Sequence, residues 1–383
     1  MKRLSVLLPV LFGFFIMGFC DVVGISTSYV QTDFCLSETV SGLIPSMVFL
    51  WFLLLSVPSA MAMNRIGRKY MVLLSNIVTV AGMMLPLIHY NFTTCMTAFL
   101  MLGIGNTMLQ VSLNPLMTNV VKDNALTSYL TAGQVVKAIS SFSGPFIAAF
   151  AAIYLGNWKY MFPIFAVITL LSTVWLYFTP IREEAPERNV STIGGTLGLL
   201  CKSEVCMLFL GIFFIVGVDV GINTLAPKLM MAKCGMALHQ AGFASSVYFV
   251  CRTVGALIGT ILLARISGAI YFRINILAAL LVMGAMIFLS EAPVILAAIG
   301  LMGFLCSSIF TIIYARALSV APDKENEISG LMIMGIVGGA IIPFLMGVAA
   351  DAVGSLTGSI VVLVLSVIYL VCLSFCRNSS QSA

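Results

Sequence analysis

The chain has 383 residues, of which 61% are hydrophobic and 9% charged. No soluble globule hides that much apolar surface behind so few charges, so a soluble enzyme and a nucleic-acid binder are both excluded despite the net charge of +5. What remains is an all-α integral membrane protein, threaded repeatedly through a bilayer.

A helix needs about 17–25 mainly apolar residues to cross the hydrocarbon. Twelve such segments follow one another, near 5–30, 40–63, 70–90, 94–121, 126–155, 158–180, 205–231, 240–265, 271–290, 293–316, 327–351 and 356–376. The first follows Lys2 and Arg3 as a signal peptide would. It is too long for that role, carries Asp21 and lacks a small-residue cleavage site, so it is read as a retained helix. Between the second and third segments runs Asn64-Arg65-Ile66-Gly67-Arg68-Lys69, a candidate gating loop. The fourth segment carries Asn106, Gln110 and Asn114, spaced by four and so stacked on one helix face, with Pro115 next. The fifth carries Gln134, Lys137 and Ser141 in a second stripe, the seventh Asp219 and Asn223, and the eighth Tyr248 and Arg252. Thr179 to Ser203 is the one long polar stretch, holding Arg182, Glu183, Glu184, Glu187 and Arg188, and reads as a linker.

The basic residues fix an orientation. With the N-terminus cytoplasmic, fourteen of the nineteen Lys and Arg fall on the cytoplasmic side, among them Lys122, Arg182, Arg188 and Arg377. Lys159, Lys228 and Lys233 fall opposite, and Lys137 and Arg252 lie within spans. The positive-inside rule therefore places both termini in the cytoplasm. The ten cysteines show no CxxC and no Cys/His cluster, so no metal site is expected. A bridge between Cys35 and Cys234 is not expected either, because it would staple together two halves that have to separate.

Those two halves are a sequence repeat. Phe14-Phe15-Ile16-Met17-Gly18 before Asp21 returns as Phe213-Phe214-Ile215-Val216-Gly217 before Asp219. Gly42, Ser46 and Phe49 return as Gly242, Ser246 and Phe249, Arg65-Ile66 as Arg265-Ile266, and Pro145-Phe146 as Pro343-Phe344. The offset stays between 198 (219 against 21) and 200 (265 against 65). The expected architecture is two pseudo-symmetric six-helix bundles, 1–180 and 204–383, joined by a cytoplasmic linker at 181–203. Duplicated six-span halves with a solute site between them at mid-membrane describe a secondary transporter.

Polar residues at membrane depth then become candidates for the site. Amides and hydroxyls also serve as glue between helices, and two acids with two bases can form structural ion pairs. Functionally, Asn and Gln offer the donors and acceptors that sugar hydroxyls need, and a membrane carboxylate can take up and release a proton. The expected substrate-binding residues are Asn106, Gln110, Asn114, Gln134, Lys137, Asp219 and Asn223, with Asp21 and Asp219 coupling protons and Asn64, Arg65, Gly67, Arg68 and Lys69 forming the gating loop.

Several stretches carry a family resemblance. Asn64 to Lys69 resembles the loop signature D-R-x-G-R-R/K of the major facilitators, with Asn64 where the family has Asp. Phe34-Cys35-Leu36-Ser37 through Ser41-Gly42-Leu43-Ile44, Phe213 to Ile222, and Ile336 to Pro343 through Gly347 and Asp351 resemble the fucose permease type. Gln110-Val111-Ser112-Leu113-Asn114-Pro115-Leu116 resembles that family's E-T-A-A-N-P-F motif, with Gln110 replacing a glutamate linked to proton coupling. Lys137 stands where the fucose permease has an amide. The resemblance implies the major facilitator fold and a monomeric fucose, galactose or glucose proton symporter of the bacterial inner membrane. It implies no cofactor beyond a proton gradient, and no enzyme. On the same fold the alternatives are a proton-driven antiporter exporting drugs or metabolites, and a uniporter.

Overall fold

The structure is a computed structural model describing residues 2–121, 126–181, 193–320 and 324–376. Residues 182–192 of the expected linker lie outside these, as do Lys122 and Arg377. Among the described residues, twelve helices are long and apolar enough to cross a membrane. They are span 1 (Ser5–Asp33), span 2 (Glu38–Ile66), span 3 (Arg68–Ile88), span 4 (Phe92–Val120), span 5 (Ala132–Tyr154), span 6 (Trp158–Phe178), span 7 (Ser203–Cys234), span 8 (Leu238–Leu263), span 9 (Gly268–Ala285), span 10 (Ala292–Val320), span 11 (Glu327–Val353) and span 12 (Thr357–Phe375). Each segment read from hydropathy has a helix at its place.

Contacts group the chain into two units. One holds Met1–Val23 and Leu54–Val190; the other holds Gly24–Leu53 and Ser191–Ala383. The stretch from the middle of span 1 to the middle of span 2 thus groups with spans 7 to 12.

Lipid tails are as apolar as leucine, so helices in a membrane associate through close packing, and small residues allow it. The repeated glycines show how. A Cβ at Gly18 of span 1 would come 2.6 Å from the Lys137 carbonyl oxygen and from Ser140 Cβ on span 5. A Cβ at the matching Gly217 of span 7 would strike Ile342 and come 3.1 Å from the Gly338 carbonyl oxygen on span 11. The same residue type in the same repeat position seats span 1 on span 5 and span 7 on span 11. In the second unit, glycines also line the contact between spans 8 and 10: Gly255 meets the Phe304 backbone, and Gly303 meets the Tyr248 carbonyl. In the first unit, span 3 packs on span 4 through Gly82 against Met101 and Gly105 against Ser75 and Thr79.

Two spans tighten beside this packing. Span 1 passes through a 3-10 stretch at Gly18–Val22, and span 11 through another at Gly335–Val337. Mid-helix 3-10 turns of this kind often mark functional hinges, and the first of them carries Asp21. Cys35 and Cys234 carry free thiols.

Candidate solute and coupling site

In the first unit the tightened turn of span 1 brings Asp21 against span 5. Ser141 Oγ donates to Asp21 Oδ2 at 2.5 Å, and the Cys20 thiol faces Asp21 Oδ1 at 3.5 Å. Lys137 and Asn106 also bear electrostatically on Cys20, so spans 1, 4 and 5 meet in one polar cluster. Asn106 is 3% exposed and its Nδ2 has no hydrogen-bond partner among the described residues. Ser140 Oγ, beside Gly18, is likewise buried without one. Of the other expected residues, Gln110 is half-buried while Asn114 and Gln134 are exposed.

In the second unit Asp219 has partners on span 8. Arg252 Nη2 lies 3.0 Å from Asp219 Oδ2, and the Tyr248 hydroxyl donates to Oδ1. Tyr248 and Arg252 are one turn apart, so both reach the same carboxylate. The Cys306 thiol of span 10 faces the same pair. Arg252 falls in the middle of Leu238–Leu263. Asn223 is buried, its carbonyl accepts from Ser245 Oγ at 3.1 Å, and its side chain fills the space beside Gly24.

The expected gating loop divides into two kinds of residue. Gly67 breaks the chain between spans 2 and 3 at φ +96°, a conformation that favours glycine. Arg68 and Lys69 follow at the start of span 3 but serve other helices. Arg68 Nη1 donates to the Pro115 carbonyl and Thr118 Oγ1, both at 3.0 Å, and to Asn119 Oδ1. Lys69 Nζ donates to the carbonyls of Tyr177 (2.9 Å) and Thr179 (2.8 Å). The two cations therefore cap the C-terminal ends of spans 4 and 6, where helix dipoles favour positive charge. Asn64 is half-buried and Arg65 exposed. Replacing Arg68 by Ala should cost about 1–2 kcal/mol, seen as a lower melting temperature in detergent. Arg68→Lys should recover only part, because the shorter side chain ends before the place from which Nη1 reaches its acceptors. An unchanged melting temperature in Arg68→Ala would contradict the capping role.

A further polar cluster was not foreseen from the sequence. Lys228 Nζ of span 7 lies 2.6 Å from Glu38 Oε2 and donates to Ser41 Oγ at 2.9 Å. Gln31 Nε2 donates to Glu38 Oε1 at 2.7 Å. Asp351 of span 11 accepts from the backbone N–H groups of Glu38 (3.1 Å) and Thr39 (2.8 Å), capping the start of span 2. A cavity of only about 10 Å³ is left among Glu38, Gly42, Lys228 and Gly347, at most the room for one water.

The family model of the Major Facilitator Superfamily matches residues 9–228, more than half of the chain. The chain belongs to the major facilitator superfamily. A glucose/galactose transporter of Brucella abortus biovar 1 (strain 9-941) is 23% identical over 363 residues, covering 89% of this chain and 86% of its own. Among solved structures, the transporter FucP in its outward conformation superposes with a TM-score of 0.69 at 16% identity, covering 99% of this chain and 100% of its own. A D-xylose-proton symporter superposes at 0.80 and 13% identity, covering 100% and 99%. The resemblance to the fucose permease type read from the motifs is borne out, as is the twelve-span facilitator fold. This is a transporter family of membrane proteins, not of enzymes.

Proposed function

We propose that this facilitator takes up a neutral sugar with protons across the bacterial cytoplasmic membrane by alternating access. The observation that carries the reading is the arrangement of charge at depth. Asp219 is matched by Arg252, and Asp21 shares its cluster with Lys137, so each base has an acid from its own unit. A site whose deep charges are matched internally needs no counter-ion from the solute, and suits a hydroxyl-rich uncharged molecule. Amides at Asn106, Gln110, Asn114, Gln134 and Asn223 supply donors and acceptors to sugar hydroxyls. A glucose/galactose transporter among its sequence relatives and a D-xylose-proton symporter of the same fold support the same solute class and the same coupling ion. The excess of basic residues on one side supports cytoplasmic termini.

Lys137 tests the solute class. Purified protein should bind a neutral hexose and not its uronic acid. Lys137→Gln should weaken hexose binding by about tenfold, the value of one hydrogen bond from a charged donor. Uronate bound by the unaltered protein and lost in Lys137→Gln, with no hexose bound by either, would show that the solute is an acidic sugar.

A further inference from the structure

Asp219, Tyr248 and Arg252 are built differently from the Asp21 cluster, and the difference bears on which solutes are refused. Each oxygen of Asp219 has its own donor: Arg252 on Oδ2 and Tyr248 on Oδ1. Tyr248 is fully buried and cannot follow a displaced carboxylate, because Gly303 holds span 10 against the Tyr248 backbone and Gly300 packs on Val247 and Cys251. Arg252 is the open member, with 33% of its side chain exposed against 20% for Asp219.

We propose that Arg252 sets the charge class of the transported solute, Asp219 occupying its guanidinium as an internal stand-in for a solute carboxylate and Tyr248 holding Asp219 in that place. The inference rests on the transport reading above and adds two residues to it. A guanidinium keeps its charge and its planar fork fits a carboxylate better than any other ligand. With Asp219 on Arg252 Nη2, an acidic solute has to push Asp219 aside and leave a carboxylate at membrane depth without its cation, which is costly. A neutral hydroxyl makes no such demand: it adds a hydrogen bond at the open edge of Arg252 while the ion pair stays closed. Removing the charge of Asp219 takes this counter-ion from Arg252, and the site then accepts the acids it had refused.

The test compares binding of glucose and glucuronate to purified full-length protein, to Asp219→Asn and Asp219→Ser, and to each combined with Arg252→Gln. Two neutral replacements of different size are used because one of them can fail to fold. The unaltered protein should prefer glucose. The single variants should gain glucuronate affinity by about tenfold or more, and the double variants should lose that gain. A merely structural pair would weaken both ligands together and leave their ratio unchanged, which would overturn the proposal. Failure of both single variants to fold would overturn it too, since the Asp219 charge would then serve the fold. If the unaltered protein binds neither ligand, the neutral-sugar reading fails by itself, and the Arg252-dependent gain of glucuronate in the single variants still decides the role of Arg252.

Discussion

Lys228→Met should lower the melting temperature of the purified protein and loosen the start of span 2. Lys228 is 10% exposed and sits 2.6 Å from Glu38, so the substitution strands the Glu38 carboxylate among spans 2, 7 and 11. A fully buried pair loses about 3–5 kcal/mol when one partner is removed. Glu38 keeps 25% of its side chain exposed, so about 2–3 kcal/mol is expected here. Asp351→Asn attacks the same junction from span 11. It leaves one acceptor for two backbone donors and should cost about 0.5–2 kcal/mol as a lost helix cap. Hydrogen exchange reads both changes at chosen atoms, because the Glu38 and Thr39 amides are the ones Asp351 protects. Both amides should exchange faster in either variant. Unchanged exchange and melting in Lys228→Met would mean that the backbone approach of Gly42 to Pro343 holds this junction without the charges.

The second large effect is on coupling. Gln110 cannot titrate, which leaves Asp21 and Asp219 as the acids at depth that can carry a proton. Asp21→Asn keeps one oxygen to accept from Ser141 and removes the proton site. It should therefore abolish accumulation against a gradient while counterflow exchange of labelled for unlabelled solute continues. A transmembrane difference of one pH unit supports up to about tenfold accumulation at one proton per solute, so the expected loss is from about tenfold to none. Asp219→Asn should do the same, through the acid of the other unit. If both variants accumulate solute normally, protons do not pass through these carboxylates, and facilitated diffusion is the better account.

How much of this was legible in the sequence follows from which interactions are local. The twelve spans were, because each needs only its own run of apolar residues. The repeat was, because Gly18 and Gly217 each stand within three residues of an acid, and they make the same kind of contact in the fold. Asp21, Lys137 and Asn106 were picked out one by one as misplaced polar residues, and the structure gathers them around Cys20. Cys20 and Cys306 gave no signal, since an apolar helix hosts a thiol without comment. Tyr248 and Arg252 were visible as a pair one turn apart, but their shared partner lies on another span, and only the glycine-mediated packing of spans 8 and 10 fixes where they point. The Glu38 junction was the least legible. Its Asp351 cap joins residues 313 apart in sequence, and nothing near Lys228 distinguishes it from an ordinary interfacial lysine. Arg68 and Lys69 were read as topology and gate; their contacts add a local task, closing the ends of spans 4 and 6.

The central claim is that this facilitator couples neutral sugar uptake to protons through Asp21 and Asp219. It is tested most directly by reconstituting the purified protein in liposomes with an alkaline interior and following labelled glucose with time. The account expects glucose to accumulate above its external concentration, to leak back when a protonophore collapses the gradient, and to reach only equilibrium in Asp21→Asn. Glucose that merely equilibrates in the unaltered protein, or that leaves preloaded liposomes as protons enter, would contradict it.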